Sequence, residues 1–237
     1  MSAADLNRFY ALLGMLEHGL GGAPKLRDCH GKMTWPKRGV YFFFEPSETR
    51  ADGSTPRVVR VGTHAVSAGS KSTLWKRLQQ HRGTQRGGGN HRGSIFRLHT
   101  GAALLNRSSD TLKLPTWGEK RNTNKAVRET EKEHEQRVSA YLGEMRVLWV
   151  TIEDEANKES DRAYIERHTI GLLSTVGKQL DSPSDDWLGN HSVRSEIRDS
   201  GLWNLQHLGY TYEQGFLERL EKYCLETLKH VTSQQYT

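Results

Sequence analysis

The alternation of apolar and polar residues predicts helices at both ends of the chain and strands between them. Over residues 5–18, leucine and phenylalanine recur at helical spacing, and Asp5 stands where a helix N-cap is expected. The stretch Gly19–Gly22 ends this predicted helix. The same periodicity predicts further helices over 72–81, 129–142, 161–174 and 212–231.

Three short runs that are rich in β-branched and aromatic residues predict strands. The first two, Gly39–Phe44 and Arg57–Gly62, are separated by a turn-like segment and together predict a β-hairpin with a long loop. The third, Met145–Ile152, has the clearest strand pattern in the chain. Glycine-rich and polar residues between these elements predict loops, most clearly over 83–90 and 183–209.

The order of these elements predicts an α+β fold, with a small three-stranded antiparallel or mixed sheet that is flanked by helices. We expect a core over residues 37–178 that carries a basic loop insertion at 83–124. A helical N-terminal extension would occupy residues 1–36. A C-terminal loop and helix, residues 179–237, would pack on the core.

Composition narrows the class of protein. Hydrophobic residues make up 35% of the chain and charged residues 26%, as in a polar globular protein. No apolar run is long enough to span a membrane, and the start of the chain lacks the order of a signal peptide, so we expect a cytoplasmic protein with no membrane partner. Cys29 and Cys224 lie far apart, which argues against a disulfide framework or a cysteine-rich zinc site.

The positive charge is concentrated in one part of the chain. The net charge is +6, and no Asp or Glu occurs over the 57 residues from Gly53 to Ser109, which contain ten Lys and Arg residues. A block of one sign repels itself unless a polyanion is near, and phosphate backbone is the polyanion that basic proteins most often bind. The alternative is an ordinary solvated face. We favour nucleic acid because ordinary faces usually mix both signs.

Four segments in a fixed order resemble a known family. Gly39–Tyr41 on the first predicted strand and Val61–Gly62 on the second resemble the two halves of the GIY-YIG signature. On the next predicted helix, Arg77 stands where that family has its catalytic arginine, and His81 follows one turn later. Glu166, on the helix after the third strand, resembles the metal-binding glutamate of the family. The sequence is therefore similar to the GIY-YIG nuclease superfamily, in particular to bacterial endonucleases of the restriction or defence type.

This resemblance implies a metal-dependent endonuclease that hydrolyses phosphodiester bonds in nucleic acid, with DNA favoured over RNA. It implies that Glu166 holds Mg²⁺ or Mn²⁺ and that Arg77 stabilises the transition state. Tyr41 would activate water, directly or through His81. Because each chain would carry one active site, cleavage of both strands suggests a homodimer or two successive nicks.

Each of these side chains also has a purely structural interpretation. Glu166 falls on an otherwise apolar helix face, where a carboxylate is costly unless it binds a metal or pairs with an arginine. Arg77 could be a solvated helix arginine and His81 a surface histidine. Tyr41 could be a core residue beside the phenylalanines that follow it.

Several polar residues are candidates for contacts with nucleic acid. Arg60 replaces the tyrosine of the second half of the signature and could contact a phosphate. The other candidates are His64, Arg82, His91, Arg92 and Asn190. His91 and Arg92 belong to a polar string that could equally form a turn. Asn190 follows the resemblance, since the family often has an asparagine after the glutamate helix.

Two other classes of function remain open on these residues. One is a nucleic-acid-binding module whose nuclease site has decayed, and the loss of the signature tyrosine at Arg60 supports it. The other is a regulatory or interaction protein that uses the fold as a scaffold.

Overall fold

The centre of the molecule is a three-stranded antiparallel sheet. The computed structural model describes residues 3–108, 114–119, 124–177 and 180–235. Its strands are β1 (Gly39–Thr49), β2 (Pro56–Gly62) and β3 (Arg146–Thr151), in the order β2-β1-β3. Both pairings are antiparallel, which confirms the predicted hairpin and decides between an antiparallel and a mixed sheet.

Strand β1 is longer than the sequence predicts. It continues past Pro46 to Thr49, where pairing with Pro56 resumes after an irregular stretch. Proline has no N–H for the ladder and is tolerated in a strand at such irregularities. The proline was therefore a poor marker of where this strand ends.

Helices cover both faces of the sheet. The five helices that the sequence predicts are confirmed, and their ends differ from the predicted ends by a few residues. Within the described residues the α-helices are α1 (Ala3–Gly19), α2 (Leu74–Arg82), α3 (Ile95–Arg107), α4 (Lys125–Glu144), α5 (Asp161–Leu173), α6 (Ser195–Ser200) and α7 (Phe216–Gln235). None of them combines the length and the apolar character that crossing a bilayer requires.

Helix α3 corrects the prediction of a basic loop over 83–124. Its N-cap is Ser94, whose side chain accepts a hydrogen bond from the backbone N–H of Arg97. Arg97 and His99 are buried along with Phe96, so the buried face of this helix is partly polar. A search for apolar periodicity misses such a helix because its polar side chains find their partners elsewhere in the fold. Part of the predicted insertion, residues 109–113 and 120–123, lies outside the described residues.

Alternate residues of β1 divide the interior into two cores. Val40 and Phe42 pack on one face of the sheet with α1, α5 and α7. Tyr41 and Phe43 pack on the other face with α2, α3 and α4. The two terminal helices, α1 and α7, also contact each other.

A β-bulge in β2 shapes the face on which Tyr41 lies. Phe43 pairs with Arg60, but the next residue of β1 pairs with Val58, so Val59 is an extra residue in β2. Bulges of this kind re-aim side chains. Here Val59 belongs to the core on the Tyr41 side, whereas Val58 belongs to the opposite core.

The C-terminal part of the chain covers the open edge of β2. The backbone N–H of Trp203 donates to Val59 O over 2.8 Å. The amide side chain of Asn204 accepts from the N–H of Val61 over 3.1 Å and donates to its carbonyl over 2.8 Å. Unpaired edges favour association with other strands, and this segment satisfies the groups that would otherwise be exposed.

Candidate active site

A cleft beside the end of β2 brings together three of the residues singled out from the sequence. Arg60, Arg77 and Glu166 line it, together with Thr63, Asn204 and several apolar side chains. Its volume is about 260 Å³, room for several waters at roughly 30 Å³ each. The three charged side chains come from β2, α2 and α5, so the tertiary fold creates the site.

Glu166 is held by backbone at the end of the hairpin. Its Oε1 accepts a hydrogen bond from Thr63 N–H over 3.0 Å, and Thr63 Oγ1 in turn donates to Gly39 O over 3.0 Å. Among the described residues, no hydrogen bond reaches Oε2 of this carboxylate. Desolvation raises the pKa of Glu166 to about 7, although Arg60, Thr63 N–H and Arg77 oppose the shift. A bound cation would stabilise the charged form of a carboxylate in this position.

Arg77 has most of its hydrogen-bonding capacity left. Its side chain is partly buried in the cleft wall, and one terminal nitrogen donates to Gln80 Oε1 over 3.2 Å. Its Nε has no partner in the described part of the chain. A guanidinium with unused donors in a planar fork is suited to the oxygens of a phosphate.

Arg60, the residue in place of the signature tyrosine, is buried in the same cleft. It donates to the carbonyl of Trp203, and its guanidinium carbon lies 4.7 Å from the centroid of the Phe96 ring. Desolvation lowers the pKa of Arg60, and the neighbouring Tyr41 and Glu166 counteract that shift. Its Nε lacks a partner among the described residues. Arg60 thus brings a second positive charge to the side of Glu166.

Tyr41 and His81 form a buried pair behind the cleft. The Tyr41 hydroxyl lies 2.9 Å from His81 Nε2, and both side chains are fully buried. The structure thus excludes the alternative that His81 is a surface histidine. Burial, together with Arg77, Arg60 and Arg97, lowers the pKa of His81 well below its ordinary value. The imidazole is therefore neutral near pH 7.

Two glycines of the signature are required by close packing. A Cβ atom on Gly62 would come within 3.0 Å of the Tyr41 hydroxyl, which lies against it across the hairpin. A Cβ atom on Gly39 would collide in the same way with Val150 O on β3. Such distances are essentially never seen for real Cβ atoms. Close packing therefore requires a glycine at both positions of the signature.

Four of the predicted nucleic-acid contacts are engaged inside the protein, which corrects that expectation. His64 Nε2 lies 3.2 Å from Lys37 O, and desolvation lowers the pKa of His64 to about 4. Arg82 donates to a backbone carbonyl and packs over Trp75. His91 bonds to a buried glutamate, and Arg92 forms a two-pronged ion pair with another, at 2.6 and 2.9 Å.

The asparagine at the site is Asn204, not Asn190. The side chain of Asn190 donates to the carbonyls of Ser184 and Asp185, in its own loop. Asn204 lines the cleft and bonds to both backbone groups of Val61, next to Arg60 and Gly62. No local sequence pattern marks Asn204, because its partner is the edge of a strand more than 140 residues away.

Acids from outside the acid-free stretch neutralise part of its charge. Arg97 Nε lies 3.0 Å from Glu135 Oε2, in an ion pair that is nearly inaccessible to solvent. Arg57 pairs in the same way with Glu48, and Arg92 with Glu131. The absence of acids in the sequence therefore reflects tertiary pairing as well as exposed basic residues. The exposed cations of the stretch are Lys71, Lys76, Arg86 and Arg107.

The three-stranded antiparallel sheet and its flanking helices are those of a GIY-YIG-like core, and a comparison with known families agrees. A family model described as a GIY-YIG domain matches residues 1–230. The chain therefore belongs to the GIY-YIG domain family, a family of nucleases that act on nucleic acid and generally use divalent metal ions. No curated protein and no solved structure matches the chain.

A metal ion at this site would have one protein carboxylate. Over the described residues, no group of three or more His, Cys, Asp or Glu side chains is arranged to hold a metal. Glu166 is the acid that lines the cleft. One carboxylate can hold Mg²⁺ when water and substrate phosphate supply the remaining oxygens. The carboxylate of Glu166, whose charge its neighbours compensate only in part, fits such a site.

Proposed function

We propose that this protein is a metal-dependent endonuclease that hydrolyses phosphodiester bonds in nucleic acid, with DNA as its substrate. The observation that carries the proposal is the meeting of Glu166 with Arg60 and Arg77 in one cleft. A phosphodiester needs positive charge where negative charge develops on its oxygens, and a carboxylate is needed to hold a metal there.

Glu166 is proposed to hold Mg²⁺ or Mn²⁺ through its carboxylate. A divalent cation bound there would polarise the scissile phosphate and offset its negative charge. Arg77, with its unused donors, would bind the non-bridging oxygens as charge accumulates on them. Arg60 would contact the same phosphate from the β2 side. It would do so from the position that the signature tyrosine has in the family.

Tyr41 is proposed to lose its hydroxyl proton to solvent once the cleft opens to it, and then, as the phenolate, to accept a proton from the attacking water. Its hydroxyl has no contact with solvent, so water can reach it only after a neighbouring side chain moves. Arg60 lines the cleft and interacts with Tyr41, so we propose that phosphate binding draws Arg60 away from Tyr41. His81 stays neutral and supports Tyr41 by a hydrogen bond.

A non-catalytic nucleic-acid-binding module is the second candidate. The full burial of Tyr41 and the presence of Arg60 in place of the signature tyrosine favour it. It predicts binding that weakens steeply with salt, because cations on the protein displace counterions from phosphate, but no turnover.

Cleavage assays separate these candidates. Supercoiled plasmid, duplex oligonucleotides and RNA would each be incubated with Mg²⁺ or Mn²⁺, and in parallel with a chelator. We expect metal-dependent cleavage of DNA that is abolished by Glu166→Ala, while the exposed Glu159→Ala serves as the matched control. Binding of DNA without cleavage under all these conditions would favour the second candidate.

The products also test how the two strands are cut. A homodimer would convert supercoiled plasmid directly to linear DNA, whereas a monomer would first accumulate nicked circles. Sedimentation of the protein with and without duplex DNA would establish whether two chains assemble on one site.

A further inference from the structure

The hydroxyl of Ser94 connects the buried Tyr41–His81 pair to the start of α3. Ser94 Oγ lies 2.8 Å from His81 Nδ1 and 3.2 Å from the backbone nitrogen of Arg97. Ser94 is buried and its rotamer is held by the helix cap. Each side-chain polar atom of the hydrogen-bonded series Tyr41–His81–Ser94 therefore has a defined neighbour.

The donors and acceptors along Tyr41–His81–Ser94 allow two arrangements of the protons. The N–H of Arg97 can only donate, so Ser94 Oγ accepts from it. The Ser94 hydroxyl has one proton of its own, and among the described residues the acceptor within reach is His81 Nδ1. With Nδ1 accepting this proton, the single N–H of a neutral imidazole is on Nε2 and donates to Tyr41. In the mirror arrangement Tyr41 would donate to Nε2, and Nδ1–H would donate to Ser94. Only the first arrangement leaves the Tyr41 oxygen as an acceptor towards His81, as its proposed role as a base requires.

We infer that His81 is held as the Nε2–H tautomer by Ser94 and donates its hydrogen bond to the Tyr41 oxygen. Ser94 is then a positioning residue that acts on Tyr41 through His81. This inference rests on the proposed function, because it describes the hydrogen bond that holds Tyr41 in position to act as a base.

The direction of the bond decides the role of His81. In the first arrangement the Tyr41 oxygen accepts a hydrogen bond from His81 Nε2–H, and His81 takes no proton from it. The opposite tautomer would make His81 the proton acceptor. The resulting imidazolium would be buried among Arg60, Arg77 and Arg97, which disfavour a further positive charge. His81 is therefore a hydrogen-bond donor to Tyr41 and not a proton relay.

Nitrogen NMR tests the tautomer without any need for cleavage. In protein labelled with ¹⁵N histidine, we expect His81 Nε2 to have the shift of a protonated nitrogen and Nδ1 that of an unprotonated one. The signal is assigned by its loss in His81→Gln. A protonated Nδ1 in the wild-type protein would overturn the inference. If the wild-type protein does not cleave DNA, the proposed function fails while the tautomer is still measured.

Two variants separate the hydroxyl from the helix cap. Ser94→Thr keeps both the hydroxyl and the cap, and should retain the Nε2–H tautomer and its cleavage rate. Ser94→Gly removes the hydroxyl but leaves a residue that is well tolerated at an N-cap. We expect it to remain folded, to lose the Nε2–H preference and to cleave at least about tenfold more slowly. Retention of the Nε2–H tautomer in Ser94→Gly would contradict the role assigned to Ser94.

Discussion

The hydroxyl of Tyr41 lies against the backbone of Gly62 across the β1–β2 hairpin, at a distance that leaves no room for a side chain. Gly62→Ala should therefore displace the Tyr41 ring from His81. Added volume in a packed core costs about 1 to 3 kcal/mol. We expect a loss of this size in the free energy of unfolding, measured by urea denaturation, and a larger relative loss of cleavage.

Gly14→Ala is the matched control for that prediction. Gly14 lies on the exposed side of α1, and nothing is within 4 Å of the position that its Cβ would take. Alanine there should stabilise the protein by about 0.5 to 1 kcal/mol. An equal and small effect of both substitutions would show that Gly62 tolerates a side chain.

The metal-free protein should be destabilised by the charge on Glu166. Its pKa is about 7 in the folded protein and 4.5 ordinarily, so ionisation is harder in the folded state. The stability that Glu166 contributes is therefore complete below pH 4.5 and is lost as the pH rises to 7. Glu166→Gln should raise the free energy of unfolding by about 1 to 3 kcal/mol at pH 8 and leave it unchanged near pH 4.

Urea denaturation at the two pH values, with a chelator present, measures this difference. Glu159→Gln, at an exposed position, should have no effect at either pH. A wild-type protein that is more stable than Glu166→Gln at pH 8 would mean that its carboxylate is already well compensated without a metal.

Metal affinity should depend on the same carboxylate. A proton on Glu166 competes with the cation, so binding weakens below the pKa of about 7. We expect the apparent affinity for Mn²⁺, measured by titration calorimetry, to be about tenfold lower at pH 6 than at pH 8. An affinity that does not change between these values would place the bound ion elsewhere.

Two arginines of the acid-free stretch should behave in opposite ways. Arg97→Ala removes one partner of a buried ion pair with Glu135 and should cost about 3 to 5 kcal/mol of stability. Arg77→Ala should change stability by less than about 0.5 kcal/mol. It should nevertheless slow cleavage and reduce the salt dependence of DNA binding. Equal effects of the two variants on stability and on binding would contradict this division.

The elements of the fold were largely predictable because most of them follow simple periodicity. The hairpin, β3 and five helices have apolar residues at the spacing of a strand or a helix. Helix α3 does not, since its buried face includes Arg97 and His99. Their polar partners and neighbours come from distant parts of the chain, and a single sequence does not display such pairing.

The site was predictable only where short motifs mark it. Tyr41, Arg77 and Glu166 were found because the family resemblance places them in order. Ser94 and Asn204 were missed, as one is a helix cap that also reaches His81, and the other satisfies a strand edge. The basic stretch indicated nucleic acid, yet three of its arginines pair with acids inside the fold.

The rate of DNA cleavage by Glu166→Gln is the most direct test of the proposed role of Glu166. Supercoiled plasmid would be cut under single-turnover conditions in Mg²⁺ by the wild-type protein, by Glu166→Gln and by the control Glu159→Gln. The proposed site predicts that Glu166→Gln cleaves at least about a hundredfold more slowly while the control keeps the wild-type rate. Cleavage by Glu166→Gln at the wild-type rate, or cleavage that persists in a chelator, would contradict it.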